Sequence, residues 1–292
     1  MWADSGSDSL AGRLIWEGNG MKIINLIENT PGTGGCLYEH GLSFYIETKH
    51  HKLLMDTGAS GAALTNARLL GIDLAGVDMV ILSHGHYDHS GGILAFAREN
   101  SHARIYMRRN AGGDYYHVGP EDCRYIGIDR EILKLPGLVL TDGDCRIDEE
   151  LFLFTGITGQ RCLTRSNLKL KERDGDQYAQ DTFDHEQCLV VTDHGRHILF
   201  SGCAHNGILN ILDRYHELFK GYPDLVISGF HLAQEEAYTG EDIQVIQGIA
   251  RELLKTGVLC YTGHCTGPEA FAMMKEIMGD RLVYVHSGEQ VL

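Results

Sequence analysis

Three histidines and one aspartate stand within six consecutive residues of this chain, in the segment Ser83-His84-Gly85-His86-Tyr87-Asp88-His89. The segment follows the apolar run from Val77 to Leu82, which predicts a buried strand that ends where the cluster begins. Hydrogen bonds alone would hardly satisfy four such side chains in a buried loop, whereas imidazole and carboxylate are preferred ligands of divalent metals. The alternative is a histidine-rich turn exposed to solvent, which the preceding strand and the glycines disfavour.

The spacing of the cluster divides its members between two ions. His84 and His86 can converge on one metal, while Asp88 and His89 point toward a second metal a few ångströms away, as two-metal hydrolytic sites require. Such a site needs further ligands, and the loops at other strand ends are where α/β proteins assemble sites.

Three more histidines follow predicted strands. His205 comes after the strand His197 to Phe200, and His264 comes after Val258 to Thr262. We expect both of them to bind metal. His231 follows a further strand, and we interpret it as either a metal ligand or a contact to substrate or phosphate.

Asp56 directly follows the predicted strand Lys52 to Met55, in Met55-Asp56-Thr57-Gly58. Metal-bound imidazoles usually donate their other N–H group to a carboxylate or carbonyl, so Asp56 could hold a ligand histidine from behind. An Asx turn is the simpler alternative.

The elements that position these residues alternate along the chain. Strand-like runs and helical spacings recur in both halves, which indicates two sheets sandwiched between helical layers. The predicted strands are Lys22 to Ile27, Leu42 to Glu47, Lys52 to Met55, Val77 to Leu82, Arg104 to Met107, Leu138 to Leu140, Leu151 to Thr155, Leu189 to Thr192, His197 to Phe200, Leu225 to Ser228, Val258 to Thr262 and Leu282 to Val285. The predicted helices are Ala62 to Leu70, Gly92 to Glu99, Gly207 to Phe219, Glu241 to Lys255 and Pro268 to Met278.

Two segments lack a regular pattern. Arg108 to Gly137 is predicted to be loop or lid, with aromatic residues that line a pocket or tie down a surface excursion. Gly156 to Glu186 is predicted to be a long polar loop. No linker divides the chain, so we predict a single domain over residues 21–292, preceded by a leader or extension over residues 1–20 that we expect to be poorly ordered.

Composition limits the partners. The 292 residues carry a formal net charge of −15, which opposes a nucleic-acid surface because that surface needs a basic stripe. The eight cysteines are scattered without a C-x-x-C pair and are typical of reduced thiols in a cytoplasmic protein. No apolar stretch approaches the roughly 20 residues that span a membrane. We therefore predict a small-molecule substrate and no nucleic-acid or membrane partner, with a homo-oligomer left open.

The motif His-x-His-x-Asp-His, here His84 to His89, resembles the hallmark of the metallo-β-lactamase-fold superfamily. Asp56-Thr57-Gly58 stands upstream of the motif in the order that the family has. The segments Gly202-Cys203-Ala204-His205, Gly229-Phe230-His231-Leu232 and Gly263-His264-Cys265-Thr266-Gly267 resemble one branch, named for dihydropterin-methyl-ribofuranosylaminobenzene-phosphate synthase. The resemblance covers roughly Met21 to the C-terminus.

The resemblance implies an α+β fold, a four-layer αββα sandwich with a dinuclear metal centre at one edge. It places His84, His86 and His205 at the first metal, and Asp88, His89 and His264 at the second. Zn²⁺ is the first expectation for both ions, and Mn²⁺ and Fe²⁺ also suit these ligands.

The chain departs from the family pattern at two places. Cys203 stands where many superfamily hydrolases have an aspartate that bridges both metals, and it is either a thiolate ligand or a buried free cysteine. The usual third-motif histidine has no secure counterpart, since His185 lies near that place and His205 looks like its substitute.

Three functions remain in view. The leading hypothesis is metal-dependent hydrolysis of a small phosphorylated or ester-bearing metabolite, in which Asp88 holds the attacking water and His231 steadies a developing oxyanion. The alternatives are a synthase-like transferase or lyase that uses the same metals, and a catalytically silent metal-binding ligand sensor.

Overall fold

The computed structural model describes residues 21–32, 34–120 and 122–292. The predicted leader over residues 1–20 lies outside the described residues. The six α-helices of the described part are α1 (Ala62–Leu69), α2 (Tyr87–Ser90), α3 (Ile93–Glu99), α4 (Ile208–Phe219), α5 (Gly240–Thr256) and α6 (Pro268–Met278). None of the described helices is both long enough and apolar enough to cross a bilayer.

The strands form two large sheets and one small sheet. The first half supplies β1 (Lys22–Ile27), β2 (Ser43–Glu47), β3 (Lys52–Met55), β4 (Met79–Ile81), β5 (Arg104–Arg108), β6 (Tyr115–Val118), β7 (Cys123–Tyr125), β8 (Leu138–Thr141) and β9 (Cys145–Arg146). The second half supplies β10 (Leu151–Phe154), β11 (Leu170–Asp174), β12 (Gln177–Gln180), β13 (Cys188–Asp193), β14 (Arg196–Phe200), β15 (Leu225–Ile227), β16 (Leu259–Thr262) and β17 (Leu282–Tyr284). The strand orders are β1-β2-β3-β4-β5-β8, β17-β16-β15-β14-β13-β10-β9 and β12-β11-β6-β7.

Three buried apolar layers hold the sheets and helices together. Side chains such as Phe44 and Ile81 from the six-stranded sheet meet Phe200 and Ile227 from the seven-stranded sheet between the two. The outer face of the six-stranded sheet packs on helices α1 and α3, and that of the seven-stranded sheet packs on α4, α5 and α6. The predicted αββα sandwich is therefore confirmed.

The sheets place the carboxyl ends of several strands at one edge. Strands β3, β4 and β5 run parallel to one another, as do β14, β15 and β16 in the other sheet. Each of β3, β4, β14, β15 and β16 leads into a segment that carries one or more of the predicted site residues. Because parallel strands end at the same edge, these loops are brought together there.

The prediction that residues 108–137 and 156–186 lack regular structure is wrong. The two segments contribute strands β6, β7, β11 and β12, which pair antiparallel into the four-stranded sheet. Strands β7 and β12 are exposed along their whole length and therefore show no apolar alternation that would reveal them. This small sheet lies over the edge where the loops meet, since His117, Arg124 and Leu170 line the same cavity as the predicted site residues.

Candidate metal centre

The first ligand group consists of His84, His86 and His205, all of them buried. One nitrogen from each imidazole lies within 4.8 Å of the others. The Nε2 atoms of His84 and His205 are 3.2 Å apart. His84 and His86 follow β4, while His205 follows β14, so the group joins the two large sheets.

The hydrogen bonds of this group fix which nitrogens carry protons. Ser83 Oγ donates to Asp56 Oδ2 over 2.7 Å, so it accepts from Nδ1 of His84 at 2.8 Å. Asn167 donates through Nδ2 to the carbonyl of His205 and accepts through Oδ1 from Nδ1 of His205 at 3.2 Å. Both Nε2 atoms therefore present lone pairs to each other.

Two facing lone pairs repel unless a cation lies between them. Tetrahedral coordination with Zn–N bonds of about 2.0–2.1 Å separates two ligand nitrogens by about 3.3 Å, close to the distance between these imidazoles. Burial lowers the pKa of His84 and His205 well below the ordinary value, and it lowers the pKa of His86 to about 3. All three imidazoles are therefore neutral at physiological pH, as metal ligands must be.

The second ligand group consists of Asp88, His89, Cys203 and His264, again buried and within 4.8 Å of one another. His264 Nε2 is 3.3 Å from Asp88 Oδ2, and His89 Nε2 is 3.1 Å from Cys203 Sγ. Cys203 thus takes part in the group at the place where an aspartate was expected. The thiol is buried, and burial raises its pKa well above the ordinary value.

Side-chain oxygens hold both histidines of the second group from behind. His89 Nδ1 donates to Asp56 Oδ2 over 2.6 Å, and His264 Nδ1 donates to Asn29 Oδ1 over 2.7 Å. Both Nε2 atoms are thereby turned toward the centre. Burial alone would lower the pKa of His89, but the carboxylates of Asp56 and Asp88 raise it to about 9. A metal ion would have to displace the Nε2 proton of His89.

Asp88 remains a carboxylate at neutral pH. Burial raises its pKa, but the charge of His89 and the nearby imidazoles of His264 and His40 outweigh burial and hold the pKa well below the usual range. His40 Nε2 lies 3.3 Å from Asp88 Oδ2, and the His40 side chain is more than half exposed at the cavity.

His231 and His185 do not belong to either group. His231 lies near Cys203 and His205, with its ring centre 4.2 Å from that of His205, and neither of its buried ring nitrogens has a hydrogen-bond partner among the described residues. His185 accepts from the backbone N–H of Gly85 at Nδ1 and faces Asp181 with Nε2 at 3.2 Å. With both nitrogens engaged, His185 has no lone pair for a metal.

The sequence reasoning missed the supporting residues. Asn29 is the second residue after strand β1, which ends at Ile27, so a polar residue just past a strand was an available signal. Asn167 lies in the segment that was predicted to be a loop, and it offered no signal. Glu186, which accepts from the backbone N–H of His205 at 2.7 Å, also carries no local signal of this role. Gly85 is required because a Cβ there would lie 2.5 Å from the carbonyl oxygen of Ala111.

The donor set fits divalent transition-metal ions. It comprises imidazoles, an ionised carboxylate and a thiol, which are the groups that Zn²⁺ and its neighbours prefer. The Nε2 atoms of His86 and His264 are buried without a hydrogen-bond partner among the described residues, which is costly unless a ligand is bound. A cavity of about 290 Å³ lies over both groups and reaches Asp88, Cys203, His205, His231 and His264.

The chain belongs to the metallo-beta-lactamase superfamily, whose family model matches residues 38–264. Members of this superfamily generally bind metal ions, and the membership supports an enzyme. Among curated proteins, the chain is 29% identical to the 7,8-dihydropterin-6-methyl-4-(beta-D-ribofuranosyl)-aminobenzene-5'-phosphate synthase of Methanocaldococcus jannaschii, over 92% of this chain and 95% of the relative. The resemblance to this branch is confirmed.

Solved structures agree with this assignment. The structure of Tm1679, described as a metal-dependent hydrolase of the beta-lactamase superfamily, matches with a TM-score of 0.77 and 29% identity over 93% of this chain and 98% of that one. The metallo-beta-lactamase fold protein YhfI of Bacillus subtilis matches with a TM-score of 0.54 and 15% identity, over 92% and 98% of the two chains. The second likeness supports the fold alone.

Proposed function

We propose that this protein is a metal-dependent hydrolase that acts on a small phosphorylated or ester-bearing metabolite through a dinuclear centre. The observation that carries the proposal is that one cavity is lined by residues of both metal-ligand groups. The cavity reaches His86 and His205 of the first group as well as Asp88, Cys203 and His264 of the second. A substrate in the cavity would therefore meet both groups at once.

Each of the two ligand groups has enough donor atoms to hold one ion. The first group would hold one ion through three imidazoles, and the second would hold another through Asp88, His89 and His264, with Cys203 as a soft donor. When bound, such ions lower the pKa of water and polarise a scissile carbonyl or phosphoryl group.

Asp88 and His231 have the chemistry for the remaining roles. Asp88 lines the cavity as an ionised carboxylate, so it can accept a hydrogen bond from an attacking water and orient it. His231 lines the same cavity, and its ring nitrogens have no described partner, so an N–H of its imidazole is free to donate to an oxygen that gains negative charge.

The test combines metal analysis with a substrate screen. Metal-replete protein is assayed on phosphodiesters, esters and lactones beside the variants Asp88→Ala and His231→Ala. His216→Ala is the control because His216 is an exposed histidine on α4 that does not line the cavity. We expect turnover of at least one class, loss of about 100-fold or more for Asp88→Ala, and no change for the control. Metal-loaded protein without turnover on any class would contradict the proposal.

A transferase or lyase is the second candidate, because the 29% identical relative named as a synthase matches over nearly its full length. In that case the ions would stabilise a displaced pyrophosphate rather than a hydrolytic intermediate. Mass spectrometry after incubation with a dihydropterin diphosphate and a ribofuranosylaminobenzene phosphate separates the two reactions. A joined product favours transfer, and a product that has gained only water favours hydrolysis.

A further inference from the structure

One face of the four-stranded sheet presents a row of three side chains to the cavity. Arg124 on β7 stands opposite His117 on β6, and His117 stands opposite Leu170 on β11. Directly opposite residues of antiparallel strands share a face of the sheet, and all three of these residues line the cavity. The opposite face carries Tyr116, Tyr125 and Tyr178, whose rings contact one another.

The cations around the cavity differ in how they are neutralised. Lys169 Nζ lies 2.9 Å from Glu235 and 2.7 Å from Glu236, and Arg165 lies 3.0 Å from Asp242. Arg124 makes no ion pair with any residue of the described ranges. It is therefore the one guanidinium or ammonium group lining the cavity whose charge no described carboxylate neutralises.

His117 adds an unpartnered nitrogen beside this guanidinium. Its Nδ1 is buried and has no hydrogen-bond partner in the described part of the chain, and the Asp122 carboxylate lies 3.7 Å from it, beyond hydrogen-bond distance. A buried polar atom without a partner costs free energy, so a ligand that reaches it is favoured. Arg124 and His117 together offer a guanidinium fork and an imidazole nitrogen on one surface.

We propose that Arg124 and His117 bind a phosphate group of the substrate that does not react. This proposal rests on the proposed function, because it assumes that the reacting bond lies at the two ligand groups. A phosphate matches the fork geometry of a guanidinium and accepts several charge-assisted hydrogen bonds. The metal-ligand residues are buried at the floor of the cavity, whereas Arg124 is exposed at its rim. A phosphate bound at the rim would leave the reacting part of the substrate free to lie against the metal-ligand residues.

Binding of ribose 5-phosphate to the metal-loaded full-length protein tests the proposal without requiring turnover. Isothermal titration calorimetry compares the wild type with Arg124→Ala and Arg173→Ala, and ribose serves as the neutral probe. Arg173 is the matched control, since it lies on the same sheet but stacks on Tyr116 of the opposite face. We expect Arg124→Ala to raise the dissociation constant about tenfold or more, since hydrogen bonds to charged groups contribute that much. Arg173→Ala should leave the dissociation constant of ribose 5-phosphate unchanged. Ribose should bind weakly, and its dissociation constant should be the same in the wild type and in both variants.

Equal losses in the two variants, no loss in Arg124→Ala, or no binding by the wild type would each overturn the proposal. Arg124→Gln, which keeps most of the side-chain volume, replaces Arg124→Ala if circular dichroism shows that the alanine variant does not fold. Failure of the proposed function is a separate result, because a protein that never hydrolyses a substrate can still bind the sugar phosphate through Arg124.

Discussion

Replacement of Asp56 by asparagine should weaken metal binding although Asp56 itself is not a ligand. Asp56 Oδ1 accepts from the backbone N–H of Ser83 at 2.7 Å, and Oδ2 accepts from Ser83 Oγ and His89 Nδ1. An asparagine must keep its oxygen toward the Ser83 N–H, which places its amide nitrogen beside His89. That nitrogen donates to Nδ1 of His89, so the imidazole proton moves to Nε2 and removes the lone pair that faces the centre.

The expected loss of metal affinity follows from the number of donor atoms that the substitution affects. Loss of a partner behind a ligand histidine typically lowers metal affinity about 10–100-fold, or about 1.4–2.7 kcal/mol. We expect the upper end of this range for the second ligand group, because His89 is one of its four donors and loses its lone pair entirely. The first group should weaken less, because Ser83 Oγ has a second lone pair and still accepts from Nδ1 of His84, so Nε2 of His84 keeps its lone pair.

Competition with a chromophoric zinc chelator at pH 7.5 measures both affinities. Asp193→Asn is the matched control, because Asp193 is a buried carboxylate that pairs with His194, an exposed histidine outside both ligand groups. The control should bind two ions as the wild type does. If folded Asp56→Asn protein binds both ions with wild-type affinity, the tautomer reasoning is refuted.

Three further outcomes follow from the same contacts. Asn29→Ala should lower the affinity of the second ion about tenfold, since His264 loses its Nδ1 acceptor, and unchanged chelator competition would contradict this. Protein freed of metal by a chelator should have its highest free energy of unfolding near pH 6.5, as measured by guanidinium unfolding. Below that pH the unfolded chain takes up protons that buried His84, His86 and His205 do not bind in the folded state, so the free energy of unfolding falls by about 4.1 kcal/mol per pH unit. Above it, the raised pKa of His89, about 9, means that the stability from its protonated form is lost as the pH rises through 9, so a flat profile would contradict the assignment. Cys203→Ser should lower the ratio of Zn²⁺ to Mn²⁺ affinity, because a hydroxyl is a harder donor than a thiolate, and an unchanged ratio would show that Cys203 is not a ligand.

The sandwich and most of the site could be predicted from local signals. The apolar run before Ser83 identified β4, and the strands that precede Asp56, His205 and His264 were equally clear. Because parallel strands end at a common edge, residues far apart in the chain could be placed together from the sequence alone.

The four-stranded sheet could not be predicted in the same way. Its outer strands β7 and β12 are fully exposed, so neither face imposes an apolar alternation. Pairing β6 with β11 also requires a contact between residues that lie more than fifty positions apart, such as His117 and Leu170. The oxygen atoms of Asn167 and Glu186 reach His205 through the same long-range arrangement, which no local pattern records.

Metal content per chain tests the central claim most directly. Elemental analysis of purified full-length protein, with concentration from amino-acid analysis, should give two equivalents of divalent transition metal. His205→Ala and His264→Ala remove one donor from each ligand group, and each variant should retain about one equivalent after dialysis. Fewer than two equivalents in metal-supplemented wild-type protein, or two equivalents in both variants, would contradict the dinuclear centre.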